Sequence, residues 1–341
     1  MNKKILVTGS EGYIGSILVP LLIEKQYEVL GIDSCFYSEG NFTQEKRPLY
    51  KLIRKDIRDI EIEDLTNIHS IIHLAALSND PLGMLDQDLT LEINYRTSVR
   101  LAELAKQAGV KRFIFSSSCS LYGQGQGLLT EESIPNPQTV YGKSKILAEQ
   151  EISKLADENF SPIFMRNSTA YGISPRMRFD LVVNSLAGFA QTTNKIQILG
   201  DGTPWRPLVH IKDISGACIA ALEAEKNIIH NEAFNVGDNE ENYQVKTIAQ
   251  QVQKQYPNCE IHIAQKNVGD TRDYQVSFNK LNTKLGFKIS MNLEKGIKEI
   301  ANAYRDFLDE ETFDHRFYTR LKQIHYLLDQ NILTNKLKYK V

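Results

Sequence analysis

The chain has 341 residues, of which 42% are hydrophobic and 24% are charged, as in an ordinary globular protein with a sizeable core. Forty basic and 42 acidic side chains give a formal net charge of −2, which does not favour nucleic acid or a membrane surface as a partner. No apolar run reaches the roughly 18 residues of a membrane span. The four cysteines form no CxxC pair, so we expect no metal site, no disulfide framework and a cytoplasmic location.

The first fifteen residues, MNKKILVTGSEGYIG, are typical of a strand, a tight turn and the start of a helix. Gly9 permits the sharp turn, Gly12 lets backbone N–H groups approach a pyrophosphate, and Gly15 lets the helix pack close to the strand. The spacing differs from the common G-x-G-x-x-G form. By itself such a triplet is a weak indication, because most matches are ordinary turns.

A second apolar run, 27–32, strengthens the prediction because it ends in Asp33, 18 residues after Gly15. An acidic side chain about 20 residues beyond the glycines binds a ribose 2′-hydroxyl and repels a 2′-phosphate. The sequence therefore predicts a dinucleotide site that prefers NAD to NADP.

The third apolar piece, 50–53, leads to Asp56 and Ile57, where a third parallel strand would end beside the adenine. Asp56 could equally be the N-cap of the segment 61–66. The two interpretations have similar weight.

The strand 70–74 ends in Leu74, Ala75 and Ala76, and these small side chains let a flat ligand approach the carboxyl end of the sheet. His73, inside the strand, is interpreted as a packed core imidazole. Helical spacing then predicts a helix over 88–108 that contains Asn94.

The next strand, 111–115, runs into a hydroxyl-rich stretch, 116–123, that includes Ser116 and Ser118. A serine-rich loop is usually only a loop, but at this edge of the sheet its hydroxyls would lie over the nicotinamide.

Tyr141 and Lys145 follow at the head of a long helix, four residues apart and so on one face. A lysine cation near a phenol lowers its pKa and favours a base. In isolation, an exposed tyrosine and lysine would be the ordinary interpretation.

These residues together resemble the extended short-chain dehydrogenase/reductases, specifically the NAD-dependent nucleotide-sugar epimerase and dehydratase family. The resemblance covers residues 1 to about 308. The motifs that carry it are TGSEGYIG at 8–15, Asp33, DIR at 56–58, HLAA at 73–76, Asn94, SSSCSLYG at 116–123, YGKSK at 141–145 and WRPLVHIKD at 205–213.

The resemblance implies an α/β fold, a Rossmann-like doubly wound parallel sheet with a smaller α/β substrate-binding region in the C-terminal half. The expected NAD-binding domain is 1–165, to which 205–237 returns, and the expected nucleotide-sugar region is 166–204 with 238–308. A helical extension, 309–341, lies outside the resemblance. It is expected to pack on its own domain or on a neighbouring subunit through a helical apolar stripe of Phe313, Phe317, Leu321, Ile324, Leu327 and Leu328.

By the same resemblance, Tyr141 is the catalytic base, Lys145 binds the nicotinamide ribose and tunes Tyr141, and Ser118 hydrogen-bonds the sugar oxygen that is oxidised. The implied cofactor-binding residues are Gly9, Gly12, Tyr13, Ile14, Gly15, Asp33, Asp56, Ile57, Leu74, Ala75, Ala76, Asn94, Ser116, Tyr141 and Lys145. The expected substrate-binding residues are Ser118, Cys119, Arg178, Asn184, Arg206 and Arg272, the last in a segment, 269–274, that brings a second arginine to the diphosphate.

The expected substrate is a nucleotide-diphosphate sugar, and a homodimer is implied through the helices that carry Asn94 and Tyr141. Cys119 and Ser120 stand where dehydratases of the family carry an Asp-Glu pair, which disfavours 4,6-dehydration. Reversible oxidation remains, most simply epimerisation. The alternatives are a dehydrogenase or ketoreductase with net redox change, and a catalytically silent NAD-binding regulator. Cys119 is interpreted either as an acid or base or as a plain buried thiol.

Overall fold

The structure is a computed structural model, and it describes residues 3–44, 46–264 and 272–340. The strands are β1 Lys4–Thr8, β2 Glu28–Asp33, β3 Lys51–Arg54, β4 Ser70–His73, β5 Arg112–Ser118, β6 Gln124–Leu129, β7 Ser161–Asn167, β8 Thr169–Tyr171, β9 Lys195–Leu199, β10 Trp205–His210, β11 Glu232–Val236, β12 Asn242–Gln244, β13 Glu260–Ala264 and β14 Asp273–Val276. The α-helices are α1 Gly15–Glu24, α2 Asp80–Gly83, α3 Gln87–Leu91, α4 Thr97–Gln107, α5 Val140–Ser153, α6 Val182–Thr193, α7 Ile211–Glu223, α8 Lys226–Ile229, α9 Val245–Gln255, α10 Asn279–Leu285, α11 Leu293–Phe307, α12 Glu310–Asp314 and α13 Arg320–Asp329.

Seven parallel strands form the central sheet in the order β11-β7-β5-β4-β1-β2-β3. Successive side chains of a strand face opposite sides of the sheet. Ile5 and Val7 accordingly enter the core under α1 and α7, whereas Leu6 enters the core with α4 and α5. Both faces are therefore buried, which explains the apolar strand and confirms the doubly wound α/β fold.

The smaller region stands at the carboxyl edge of this sheet. β10 pairs in parallel with β8 and antiparallel with β12, while β9 pairs with β13. Helices α6, α9 and α11 pack around them in one hydrophobic core. Within the segment 205–237, β11 joins the central sheet, whereas β10 belongs to the smaller one.

The helix expected over 88–108 is interrupted. A π-helical turn, Glu92–Arg96, separates α3 from α4 and carries Asn94. Such turns insert one extra residue into a helix and re-aim the side chains around it. Across the described ranges, no helix has the length and apolarity needed to cross a membrane.

The extension does not form the single helix that its stripe predicts. It consists of α12, a 3₁₀ turn at Arg316–Tyr318, α13 and an isolated bridge between Leu333 and Tyr339. The helices are separated because His315 and Thr319 adopt extended backbone angles. The extension packs on its own chain. Its early aromatic residues join the core of the smaller region, and Ile324 and Leu327 join the core beside the adenine end of the sheet.

His73 is a buried core side chain, only 1% exposed, as the sequence indicated. Its Nδ1 lies 2.6 Å from the Thr8 hydroxyl and its Nε2 lies 2.9 Å from the Ser98 hydroxyl. Burial, with a smaller contribution from Lys145, lowers the pKa of His73 from 6.5 to about 3. The neutral ring therefore ties β1 and β4 to α4.

This burial predicts acid sensitivity. The unfolded chain binds a proton on His73 at higher pH than the native protein, so stability is complete above pH 6.5 and is lost as the pH falls toward 3. We expect the wild type to lose about 2 kcal/mol more unfolding free energy than His73→Asn between pH 7 and 5. Denaturant unfolding at pH 7 and pH 5 measures this difference. Equal losses of unfolding free energy in the wild type and His73→Asn would contradict a neutral, buried His73.

Candidate active site

One large cavity of about 1130 Å³ lies at the carboxyl ends of the central strands. It is continuous from the glycine-rich turn after β1, past the residues that follow β4 and β5, to the loops of the smaller region. Ligands of open α/β sheets bind at this edge. The volume and length of the cavity suit two ligands placed end to end.

The glycine-rich turn has no room for a side chain at Gly9 or at Gly15. Gly9 has a φ of +72°, and a Cβ added there would lie 2.8 Å from the Ala75 backbone nitrogen. A Cβ on Gly15 would overlap the Gly9 carbonyl oxygen. The turn is thus held against the end of β4, and the N-terminus of α1 faces the cavity, where its positive end favours a phosphate.

Asp33 ends β2 and lines the cavity beside this turn. Its carboxylate accepts hydrogen bonds from the backbone N–H of Glu11, at 2.9 Å, and of Cys35, at 2.7 Å. Burial raises the pKa of Asp33, while these two hydrogen bonds lower it. The fixed carboxylate can accept a ribose hydroxyl and repels a 2′-phosphate, so the residues present fit NAD.

A cluster of charged and polar side chains around Glu11 holds the glycine-rich turn in place. The Glu11 carboxylate accepts hydrogen bonds from Arg176, at 2.8 Å, and from Arg47 and Tyr50. Burial raises the pKa of Glu11, but the three hydrogen bonds outweigh burial and hold the pKa below its ordinary value. Sequence reasoning missed this cluster because its members lie far apart along the chain.

At the adenine end, Asp56 and Ile57 both line the cavity. The Asp56 carboxylate accepts from the backbone N–H of Arg58 at 2.8 Å and forms an ion pair with the Arg58 guanidinium at 2.7 Å. It therefore caps the 3₁₀ turn Ile57–Asp59 and not the segment 61–66. Its contact with adenine stays a prediction.

The structure brings Ser118, Tyr141 and Lys145 to one wall of the cavity. Ser118 ends β5, and its hydroxyl accepts a hydrogen bond from the Ser120 N–H at 3.1 Å and lies near enough to the Tyr141 phenol to lower the pKa of the phenol. Tyr141 and Lys145 lie in the first turns of α5, whose N-cap hydroxyl, Thr139, accepts from the Gly142 N–H. The Lys145 ammonium donates to the Ser116 carbonyl at 2.7 Å.

Burial has opposite effects on these two ionisable groups. It raises the pKa of Tyr141, which the Ser118 hydrogen bond and the charges of Arg178 and Arg272 partly counteract. It lowers the pKa of Lys145 to about 8. The Lys145 nitrogen lies 5.8 Å from the centre of the Tyr141 ring. Tuning of Tyr141 by Lys145 stays a prediction.

The arginines expected to hold the substrate lie at the far end of the cavity. Arg206 donates to the backbone carbonyl of Arg272, and Arg272 pairs with Asp80 at 2.8 Å. Arg178 lines the same cavity but is held by Asp180 at 2.6 Å and by the Ser78 hydroxyl. Residues 269–271 of the expected arginine-bearing segment lie outside the described residues.

The side chains of three residues expected to contact a ligand, Asn94, Cys119 and Asn184, are buried, and the residues that line the cavity do not include them, so their contacts with a ligand stay predictions. Asn94 bonds both backbone groups of Leu77 and the Ser144 hydroxyl. Asn184 donates to the Tyr13 hydroxyl and the Arg178 carbonyl. Both side chains position neighbouring loops.

Cys119 directs its thiol to the Arg166 carbonyl, at 3.1 Å, and approaches the Ser168 hydroxyl at 3.9 Å. Burial raises the pKa of Cys119 to about 12. These contacts and the raised pKa favour the plain buried thiol over an acid or base.

Several other cavity residues were not expected, among them Asp80, Asp180 and Arg320. Asp80 could have been recognised, because it follows the carboxyl end of β4, and Asp180 because it stands two positions from Arg178. No local pattern marks Arg320. Among the residues that the structure describes, no group of three His, Cys, Asp or Glu side chains is placed to hold a metal.

Comparison with known proteins gives consistent matches. A family model described as "NAD dependent epimerase/dehydratase family" matches residues 5–237. The UDP-glucose 4-epimerase of Neisseria meningitidis serogroup C is 30% identical over 265 residues, which cover 69% of this chain and 77% of that protein.

Solved structures match over nearly the whole fold. MoeE5 in complex with UDP-glucuronic acid and NAD has a TM-score of 0.78 and 26% identity, covering 89% of this chain and 99% of that one. The UDP-glucuronic acid 4-epimerase of Bacillus cereus, in complex with UDP-glucuronic acid and NAD, has a TM-score of 0.76 at the same identity and coverage. The chain therefore belongs to the NAD dependent epimerase/dehydratase family and is an enzyme whose cofactor is NAD.

Proposed function

We propose that the enzyme is a UDP-sugar 4-epimerase that oxidises the sugar hydroxyl to a ketone and reduces it again on the opposite face. The observation that carries the proposal is the position of Ser118, Tyr141 and Lys145 on one wall of the cavity that also contains the glycine-rich turn. The names of the relatives support the uridine nucleotide and the carbon, since they include UDP-glucose and UDP-glucuronic acid 4-epimerases.

NAD held along the glycine-rich turn and Asp33 would supply a reversible hydride acceptor for the sugar carbon. The phenol oxygen of Tyr141 takes the proton of the sugar hydroxyl and returns it once the ring has presented its other face. Ser118 hydrogen-bonds the same sugar oxygen and holds it toward Tyr141. Lys145, whose nitrogen lies 5.8 Å from the centre of the Tyr141 ring, supplies a positive charge that favours the phenolate form of Tyr141.

Arg206 and Arg272 hold the substrate through its diphosphate. Both line the cavity, where Arg272 bonds the Ser120 hydroxyl and Arg206 bonds the Arg272 carbonyl, and their positive charges suit a doubly charged diphosphate. Anchoring the diphosphate leaves the sugar free to turn over. The homodimer and the cytoplasmic location expected from the sequence stay predictions.

Dehydration is disfavoured because Cys119 is buried and its thiol has a raised pKa. Elimination of water needs an acid and a base beside the sugar. The thiol stands at the relevant position, but it is 0% exposed and its pKa is raised to about 12 by burial. Redox-neutral epimerisation requires no such additional pair.

The function is tested by incubating the NAD-loaded enzyme with UDP-glucose, UDP-galactose, UDP-N-acetylglucosamine and UDP-glucuronic acid, with GDP- and dTDP-sugars as controls. We expect conversion of one UDP-sugar to its C4 epimer by chromatography, without net change in absorbance at 340 nm. Accumulation of NADH with a keto sugar would establish a dehydrogenase instead. A dehydrated product would also contradict the proposal.

Tyr141→Phe removes the group that moves the proton. We expect kcat to fall about 10²- to 10⁴-fold, as for loss of a general acid–base group, with NAD affinity retained. Tyr27→Phe is the matched control, because Tyr27 bonds Glu223 at the surface and does not line the cavity. Unchanged turnover in Tyr141→Phe would remove Tyr141 from the mechanism.

Cys119→Ala should leave both turnover and product unchanged, because the thiol faces the Arg166 carbonyl and not the cavity. Cys218→Ala, a second fully buried cysteine, is the control for packing losses. A large fall in kcat in the folded Cys119 variant alone, with normal NAD binding, would show that the thiol takes part in the chemistry.

A further inference from the structure

The extension 309–341 reaches the active-site cavity. Arg320, the first residue of α13, and Leu337 both line it, although the family model ends at residue 237. Leu337 accepts a hydrogen bond from Arg58 through its carbonyl, next to the adenine-end residues Asp56 and Ile57. The extension is therefore part of the wall around the cofactor.

Arg320 is held rigidly and is only 2% exposed. Its guanidinium carbon lies 4.1 Å from the centre of the Tyr37 ring, and its Nη2 donates to the Arg176 carbonyl at 3.0 Å. Its Nη1 is buried and has no hydrogen-bond partner among the described residues. A buried guanidinium donor without an acceptor is costly.

The other arginines on this side of the cavity have carboxylate partners. Arg58 pairs with Asp56, Arg176 with Glu11 and Arg178 with Asp180. Within the described part of the chain, Arg320 forms no ion pair. A cation that is buried, stacked and placed in the wall of a cavity in this way is suited to an anionic ligand.

The neighbours of Arg320 locate that ligand. Burial lowers the pKa of Arg320, the charge of Arg178 lowers it further, and the charges of Asp180 and Asp33 raise it, so these three side chains lie near Arg320. Asp33 stands at the adenosine ribose end, whereas Arg178 and Asp180 lie toward Tyr141 and the nicotinamide. Arg320 also bonds Arg176, which pairs with Glu11 of the glycine-rich turn, and the N-terminus of α1 that follows this turn is where a cofactor diphosphate is expected.

We propose that Arg320 is a cofactor-binding residue that donates its free Nη1–H to the diphosphate of NAD, so that the extension closes the cofactor site. The inference rests on NAD binding and not on the sugar reaction. The substrate also carries a diphosphate, but its expected arginines, Arg206 and Arg272, lie beside Ser120 at the other end of the cavity.

The test compares Arg320→Met, which keeps the stem over Tyr37, with Arg320→Lys, which keeps the charge. The control is Arg316→Met. Arg316 stacks on Tyr326 and Phe317 in the same extension but does not line the cavity. Calorimetry measures the affinity of the cofactor-free protein for NAD, ADP-ribose and adenosine, and of the NAD-loaded protein for UDP.

We expect Arg320→Met to weaken NAD and ADP-ribose binding by about 10- to 100-fold, the loss expected for one charge-assisted hydrogen bond. Adenosine affinity, UDP affinity and every value for Arg316→Met should stay at the wild-type level. Arg320→Lys should bind ADP-ribose more tightly than Arg320→Met. If Arg320→Met does not fold, the lysine variant tests the same point, because loss of the planar fork should still weaken ADP-ribose but not adenosine.

Wild-type ADP-ribose affinity in Arg320→Met would overturn the proposal. So would a selective loss of UDP affinity, which would assign Arg320 to the substrate diphosphate. Equal losses for adenosine and ADP-ribose would show a general packing defect and would also overturn it. Failure of the UDP-sugar assay would leave these affinities unaffected, so the two proposals fail separately.

Discussion

The close approach of the glycine-rich turn to the end of β4 is the constraint on which the site depends. Gly9 and Gly15 have no space for a Cβ, so the turn, α1 and the Ala75 backbone take one arrangement. That arrangement aims the N-terminus of α1 into the cavity and lets the Glu11 N–H fix the Asp33 carboxylate. The pairing of Glu11 with Arg176 then ties the turn to the smaller region.

The same cavity holds two kinds of electrostatic environment. At the end proposed for the cofactor, the N-terminus of α1 faces the cavity, and the Asp33 carboxylate, held by two backbone N–H groups, lines it. At the sugar end, cations and carboxylates alternate, with Arg272 paired to Asp80 and Arg178 to Asp180. Between them lies the phenol of Tyr141, whose pKa is raised by burial and lowered by the nearby arginines. In the proposed mechanism, proton transfer would take place in this buried setting, where a modest change in charge has a large effect on the pKa of Tyr141.

Local sequence patterns predicted the parts of the site that depend on local backbone geometry. The glycine triplet, Asp33 at the end of β2 and the Tyr141–Lys145 spacing on α5 each follow from one strand or one helix. The patterns were insufficient where tertiary packing decides the role. Asn94 and Asn184 stand in the expected elements, but their amides satisfy backbone groups of neighbouring loops.

For the extension 309–341, too, the sequence predicted the packing but not a residue whose surroundings depend on the folded chain. Its apolar stripe predicted packing on its own domain or on a neighbouring subunit, and in the structure it packs against two cores of its own chain as short helical segments. Arg320 could not have been found from the sequence, because its surroundings come from Tyr37, Arg176 and the cavity, all distant along the chain. Only the folded arrangement makes its free donor visible.

In the proposed reaction, one hydride leaves the sugar carbon and returns to the same carbon. The most direct measurement uses the UDP-sugar substrate carrying deuterium at C4, converted in ordinary water and analysed by mass spectrometry. The account predicts that the C4 epimer keeps the deuterium in full after many turnovers. Loss of the label to solvent would contradict it, because the carbon-bound hydrogen would then leave as a proton.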